Sequence, residues 1–414
     1  MADAPQAKPL GPIPPGFGTE AGALTIGGWH VNALIDRAGR TPLFVYSAEA
    51  LRERVAYLRD TMPAPLRVRY AMKANPFPPL LRLMAGLVDG IDVASGGELR
   101  LALGAGMAPA RISFAGPGKD DDELALAVSN GVTINVESEG ELARALACGR
   151  TLGRQPRLAI RVNPSFDLRG SGMKMGGGPK PFGIDAERVP AAIRTVVSEG
   201  AEFRGLHIYT GSQSLDGTAL AAMQAGVLRL AAALGDAADT DVPELTIGGG
   251  FGIPYFHGDR PLDLRPLGTA LENELAKVPP RLRGTVFSIE LGRYLVGEAG
   301  VYLARIVDRK TSHGQIFLVT DGGLHHQLAA SGNFGTVVRR NYPVAIASRF
   351  DTPASEVVSV VGRLCTPLDR LADSAWLPRA EVGDIVAVFC AGAYGATASP
   401  SAFLGHGPAA ELLV

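Results

Sequence analysis

The chain has 414 residues, 46% apolar and 20% charged, enough for one large domain and a second smaller one with a substantial buried core. A net charge of -1 excludes the broad basic surface of a nucleic-acid- or membrane-binding protein but leaves room for a locally charged site. Three cysteines, Cys148, Cys365 and Cys390, fit neither a disulfide framework nor a zinc cluster, so free thiols, a reducing compartment and no metal are expected.

Residues 1–41 begin with a Pro-, Gly- and Ala-rich arm that lacks the basic start and apolar run of a signal peptide. No uninterrupted run of roughly 18 apolar residues follows anywhere, so a soluble, cytoplasmic protein is expected. The short "ALTIGG" (Ala23–Gly28) reads as a strand that joins a later β-domain.

Over residues 42–300, short apolar strands alternate with amphipathic helices. "PLFVYS" (Pro42–Ser47) is expected to open the series. "LRVRYAMK", "GIDVAS", "ISFAG", "VTINVES", "LAIRVNP", "FRGLHIYTG", "ELTIGGG" and "TVFSIELG" continue it. Helical stretches such as Asp121–Asn130, Val189–Glu199 and Ala219–Leu234 lie between them. Such alternation predicts parallel βα units, in a closed (β/α)8 barrel or an open doubly wound sheet. The count of about eight strands favours the barrel, and the run Gly248–Gly252 lacks the spacing of a dinucleotide fingerprint. Residues 301–414 read as strands without long helices, a second, all-β domain.

In a βα barrel, chemistry gathers where strands end. Lys73 follows an apolar strand, where a desolvated stem favours a neutral, nucleophilic amine; a snorkelling lysine fits the position as well. His207 and Tyr209, two apart on one strand, face the same way, as ligand-facing rings or as packed aromatics. Gly248–Gly252 after "LTI" offers either an anion cradle or a tight turn. Glu290 and Arg293 close the last barrel strand, as ligand groups or as a mutual salt bridge. In the β-domain, Cys365 and Asp369 lie in "GRLCTPLDRL", and Tyr394 sits in the glycine-containing "AGAYG".

"YAMKAN", "DVASGGEL", "FAGPGK", "HIYTGSQ", "GGGFG", "ELGRYLV", "LCTPLD" and "AGAYG" occur in this order along nearly the whole chain. Together they resemble the fold-type III pyridoxal-5′-phosphate (PLP) decarboxylases, which include the diaminopimelate, ornithine and biosynthetic arginine enzymes. The resemblance implies an alanine-racemase-like α/β barrel plus a β-domain, and a lyase acting on an α-amino acid. It makes Lys73 the Schiff-base lysine and Glu290 the acid paired with the pyridine nitrogen. Asp92, His207 and Tyr209 lie near the cofactor. Ser212, Gly249, Gly250, Phe251, Gly252, Gly292, Arg293 and Tyr394 surround it or its phosphate. Cys365 matches the cysteine that enters the partner's site in a head-to-tail homodimer and protonates Cα.

Two departures bear on function. Tyr209 stands where the diaminopimelate and ornithine enzymes carry a ring-stacking histidine; it can stack but cannot become a cation. Thr366 stands where those enzymes place an acid against a distal ammonium, and a hydroxyl cannot supply that charge-assisted bond. "GSGMKMGGGPKPFGID" (Gly170–Asp185) and "DGGLHHQLAASGNFG" (Asp321–Gly335) resemble a branch of carrier-protein-linked decarboxylases, including the butirosin glutamyl-acyl-carrier-protein enzyme and those encoded with exosortase A systems. The glycine-rich loop, with Lys174 and Lys180, could admit a phosphopantetheine arm and face an acidic carrier, or act as a lid over a free amino acid. Thr366, Asp369 and Lys180 are therefore the candidate substrate residues. The expected reaction is decarboxylation of a tethered, glutamyl-like amino acid. The alternatives are a free amino-acid decarboxylase, a racemase, and a catalytically silent PLP-binding regulator.

Overall fold

The computed structural model describes residues 6–167, 172–332 and 340–414, without the side chains of 173 and 174. Gly170, the Lys174 side chain and residues 333–335 of the second branch motif therefore lie outside the described residues. The chain divides into two units. One comprises Val55–Ile253 and Pro261–Gly292; the other comprises Met1–Arg54, Pro254–Arg260 and Arg293–Val414.

The first unit is the barrel. Its eight parallel strands are β1 (Arg67–Ala71), β2 (Gly90–Val93), β3 (Ile112–Phe114), β4 (Thr133–Val136), β5 (Arg157–Asn163), β6 (Glu202–Ile208), β7 (Glu244–Gly249) and β8 (Val286–Leu291). Each pairs with the next, and Glu290 of β8 lies opposite Arg69 of β1, closing the ring. Helix boundaries follow local chemistry. Asp120 and Glu123 form a reciprocal capping box at the start of Asp121–Asn130, and Gly131 ends that helix in the left-handed region. Gly217–Ala238 is long and apolar enough to cross a membrane by length and composition, with Gln224 and Arg229 interrupting its apolar run. Its Leu220, Val227 and Ala231 stripe is buried as in a barrel helix.

The second unit is built on an eight-stranded mixed sheet. The strand Leu43–Tyr46, expected to open the barrel, belongs here. It pairs antiparallel with Gly300–Ser312 and parallel with Ala410–Leu413. A four-residue apolar strand before a helix looks the same in either setting, and only its pairing distinguishes them. "ALTI" (Ala23–Ile26) pairs with Gly18–Glu20 and Trp29–His30 in a small separate sheet. It meets the larger sheet through the core: Leu24, Ile26 and Leu34 pack with Val45, Leu303 and Phe389.

Candidate active site

The barrel's strands bring three titratable side chains together. Asp92 from β2, His207 from β6 and Glu290 from β8 are buried, with ligand atoms within 4.8 Å of one another. His207 Nε2 donates to Glu290 Oε2 at 2.8 Å. A polar belt supports the cluster: Asn135 Nδ2 donates to Ser113 Oγ at 2.6 Å, and Ser113 Oγ donates to Asp92 Oδ1 at 3.0 Å. These donors could suit a divalent metal by position alone, but the His207–Glu290 bond already joins two of them.

The electrostatics separate the two acids. Burial raises Asp92 well above the ordinary carboxylate range, and the charge of Glu290 pushes it the same way against Lys73. Burial also works against Glu290, but the hydrogen bond and charge of His207, the charge of Lys73 and a hydrogen bond from Asp92 bring it down to about 2. Asp92 therefore keeps a proton that it donates to an ionised Glu290.

Lys73 stands just beyond β1, on the turn Met72–Ala74, and is exposed. The sequence suggested a desolvated stem, whereas Lys73 as a whole is exposed two positions past the strand end at Ala71. Its Nζ lies 5.8 Å from the centroid of the Tyr209 ring. Gly292 makes room for this turn: a Cβ there would sit 2.9 Å from Ala74 Cβ and 3.0 Å from the Ala71 carbonyl oxygen.

The glycine run proves specific in its use. A Cβ on Gly249 would fall 1.9 Å from the Glu290 carbonyl oxygen, and Gly250 has φ 76°. Gly252, expected to offer its N–H to a phosphate, instead donates it to the Ser214 carbonyl at 2.8 Å. Ser214 N donates in turn to the Gly250 carbonyl, so this stretch is a brace. Phe251 is buried, and half-buried Ser212 lies in the short strand Gly211–Ser212 that pairs with Met173–Lys174. Lys180 is half-buried on the loop leading back to Ile184–Asp185.

In the second unit, Arg293 Nη1 donates to the Tyr255 hydroxyl at 2.8 Å, and its guanidinium lies 4.8 Å from the Tyr394 ring centroid. The electron-rich rings and hydroxyls around it raise the already high pKa of Arg293 despite burial, so the cation is fixed. Its Nε has no hydrogen-bond partner. The mutual Glu290–Arg293 salt bridge weighed from the sequence gives way to these partners. Tyr255, missed in the sequence, lies outside any strand or helix and carried no periodic signal.

Cys365 is exposed and Thr366 half-buried. Asp369, expected to meet substrate, is buried instead. It accepts from Leu324 N at 2.6 Å and Leu364 N at 2.9 Å, tying two loops together. His325, in the "HH" pair, is also buried, and neither ring nitrogen has a partner. Burial and the neighbouring His326 bring it down to about 3, so its ring is neutral.

The pyridoxal-dependent decarboxylase model, pyridoxal binding domain, matches residues 48–297, more than half of the chain. The chain belongs to the pyridoxal-dependent decarboxylases. It is 35% identical over 93% of its length, and 91% of the relative's, to an L-glutamyl-[BtrI acyl-carrier protein] decarboxylase of Niallia circulans. It is 33% identical over 95% of its length, and 91% of the relative's, to a diaminopimelate decarboxylase of Aquifex aeolicus. The crystal structure of AQ1208 from Aquifex aeolicus superposes with TM-score 0.81 at 30% identity, covering 96% of this chain and 92% of that one. The crystal structure of diaminopimelate decarboxylase from M. jannaschii in co-complex with L-lysine superposes with TM-score 0.84 at 25% identity, covering 97% of this chain and 93% of that one. The fold is thus the alanine-racemase-like barrel with a second β domain, the cofactor is PLP, and the reaction is decarboxylation of an amino acid. The residues fit the cofactor. A buried carboxylate held ionised suits a protonated ring nitrogen, an exposed amine stands over the strand ends, and the buried Nδ1 of His207 lacks a protein partner.

Proposed function

We propose that this enzyme decarboxylates an L-α-amino acid carried as a thioester on an acyl carrier protein, with a glutamyl-like side chain. The observation that carries the reading is Thr366 beside Cys365, where an acid would serve a distal ammonium; the likeness to the glutamyl-carrier enzyme points the same way. Lys73 would hold PLP covalently and Glu290 would keep the ring nitrogen's proton. Tyr209 would stack on the ring, and Ser212, Gly250, Arg293 and Tyr394 would hold the phosphate. When bound, PLP supplies an electron sink for the pair left at Cα as CO2 departs. His207 and Asp92 orient Glu290 and keep it anionic, because each donates a hydrogen bond to it. Cys365, exposed on its loop, would give the proton to Cα from the partner subunit of a homodimer.

A second reading is favoured by the 33% identity to a diaminopimelate decarboxylase: a free diamino acid as substrate. CO2 release by PLP-loaded enzyme from glutamyl-thioester carrier protein, and from free glutamate, lysine, ornithine and diaminopimelate, decides between them. Release from the thioester alone is expected, and Thr366→Glu should raise any residual diamino-acid turnover a few-fold. Efficient release from a free amino acid overturns the tethered reading.

A further inference from the structure

The barrel end opposite the Asp92–His207–Glu290 cluster encloses a cavity of about 250 Å³ at the N-terminal ends of the strands. Five arginines line it: Arg67 and Arg69 of β1, Arg111 before β3, Arg157 of β5 and Arg204 of β6. Glu202, outside the lining, pairs with Arg157 at 3.1 Å and Arg204 at 2.7 Å, and against the five arginines stand two lining carboxylates, Asp89 and Glu244. Those two are already engaged. Asp89 pairs with Arg59 at 2.7 Å and accepts from Val68 N, while Glu244 takes Arg69 at 3.1 Å and Arg204.

A barrel floor closed by matched ion pairs would leave few buried N–H groups unpaired. Here Arg69 is 9% exposed, and its Nε and Nη1 have no hydrogen-bond partner. The Nε of Arg204 is also buried without one. A buried charged donor left unmatched is costly, so three such groups around one cationic cavity call for an acceptor. Gly90 keeps the space open: a Cβ there would lie 3.3 Å from Arg69 Nη1 and 2.4 Å from the Arg111 carbonyl oxygen. Arg67 is exposed at the rim, and among the described residues no carboxylate pairs with it. Guanidinium forks match the oxygens of phosphate and carboxylate groups, and the volume suits a small anion with one or two such groups.

We propose that the N-terminal floor of the barrel is a binding site for a small phosphate- or carboxylate-bearing anion, separate from the catalytic end. The site does not depend on which amino acid the enzyme decarboxylates. Arg69 also feels the charge of Glu290, so an anion on the floor would act on the field at that acid.

The test uses PLP-loaded enzyme, in which the cofactor's own phosphate fills its site. Inorganic phosphate and, separately, succinate are titrated by calorimetry and thermal melting at ionic strength held constant with chloride. Saturable binding with a rise in melting temperature is expected for at least one of them, and which one responds identifies the head group. Arg67→Gln should weaken it at least threefold, and Arg67→Glu should abolish it while the cofactor's absorbance is retained. No saturable response to either anion, or equal affinity in wild type and Arg67→Glu, overturns the proposal.

Discussion

Glu290 in the barrel and Asp369 in the β unit are both buried carboxylates, 3% and 2% exposed, yet their surroundings treat them in opposite ways. The oxygens of Glu290 face an imidazole, a protonated acid and the charge of Lys73, which together bring it down to about 2. Both oxygens of Asp369 are taken by main-chain N–H groups, and burial still raises it above the ordinary range. The contrast shows that burial alone does not mark a catalytic acid. An acid whose neighbours are titratable side chains keeps its charge available, whereas one saturated by backbone donors fixes the shape of a loop.

Substitutions sharpen this contrast. The largest effect is expected at Lys73, whose charge reaches the barrel acids. Lys73→Ala should remove the near-visible absorbance of bound PLP and lower turnover by roughly 10⁴-fold. Unchanged absorbance would refute the assignment of the cofactor lysine. Glu290→Gln should reduce kcat by about 10²–10³-fold with the fold intact by circular dichroism, because the fixed charge is lost. Should Asp369→Asn lower kcat as much, the distinction between the two acids collapses. Cys365→Ala should slow turnover by about 10²-fold with PLP retained; loss of PLP with normal turnover after reconstitution would make the thiol structural.

Asp369→Asn should act on stability, costing about 1–3 kcal/mol because an amide N–H₂ cannot accept from a backbone donor. A lowered melting temperature with normal PLP absorbance is the expected signature. The smallest effect concerns Asp92. Its folded pKa lies above its unfolded value, so the folded state binds the extra proton between the two. Stability therefore falls as pH rises through that window, by up to about 1.4 kcal/mol per unit. Asp92→Asn should flatten the dependence of melting temperature on pH above 4; an unaltered slope would place the proton elsewhere. Glu290, shifted downward, has the opposite sign: its contribution is present at neutral pH and is lost only as pH falls toward about 2.

The same two regions show what the sequence could reveal. Lys73, His207 and Glu290 were legible because parallel strands advertise their C-terminal ends, Asp92 only through the motif that carries the family resemblance, and the barrel followed from about eight alternating strands although Leu43–Tyr46 was counted among them. The direct His207–Glu290 bond was not legible, since it joins residues 83 positions apart through barrel closure. Asp369 was misread for a related reason: its motif gave its place in the chain but not the loop at Leu324 that it clasps. Tyr255, in the short Pro254–Arg260 excursion, had no periodicity to expose it. The strands Arg370–Leu377 and Ala410–Leu413 escaped because partner choice in a mixed sheet is settled by tertiary packing.

The placement of Leu43–Tyr46 has a consequence for biosynthesis. This strand emerges early from the ribosome, but its two sheet neighbours, in Gly300–Ser312 and Ala410–Leu413, are made roughly 250 and 360 residues later. All eight barrel strands are synthesised in the interval. The nascent chain must therefore hold an apolar strand with both edges open while a whole barrel is translated, so at this segment a trigger-factor-like holdase would have its longest opportunity to bind.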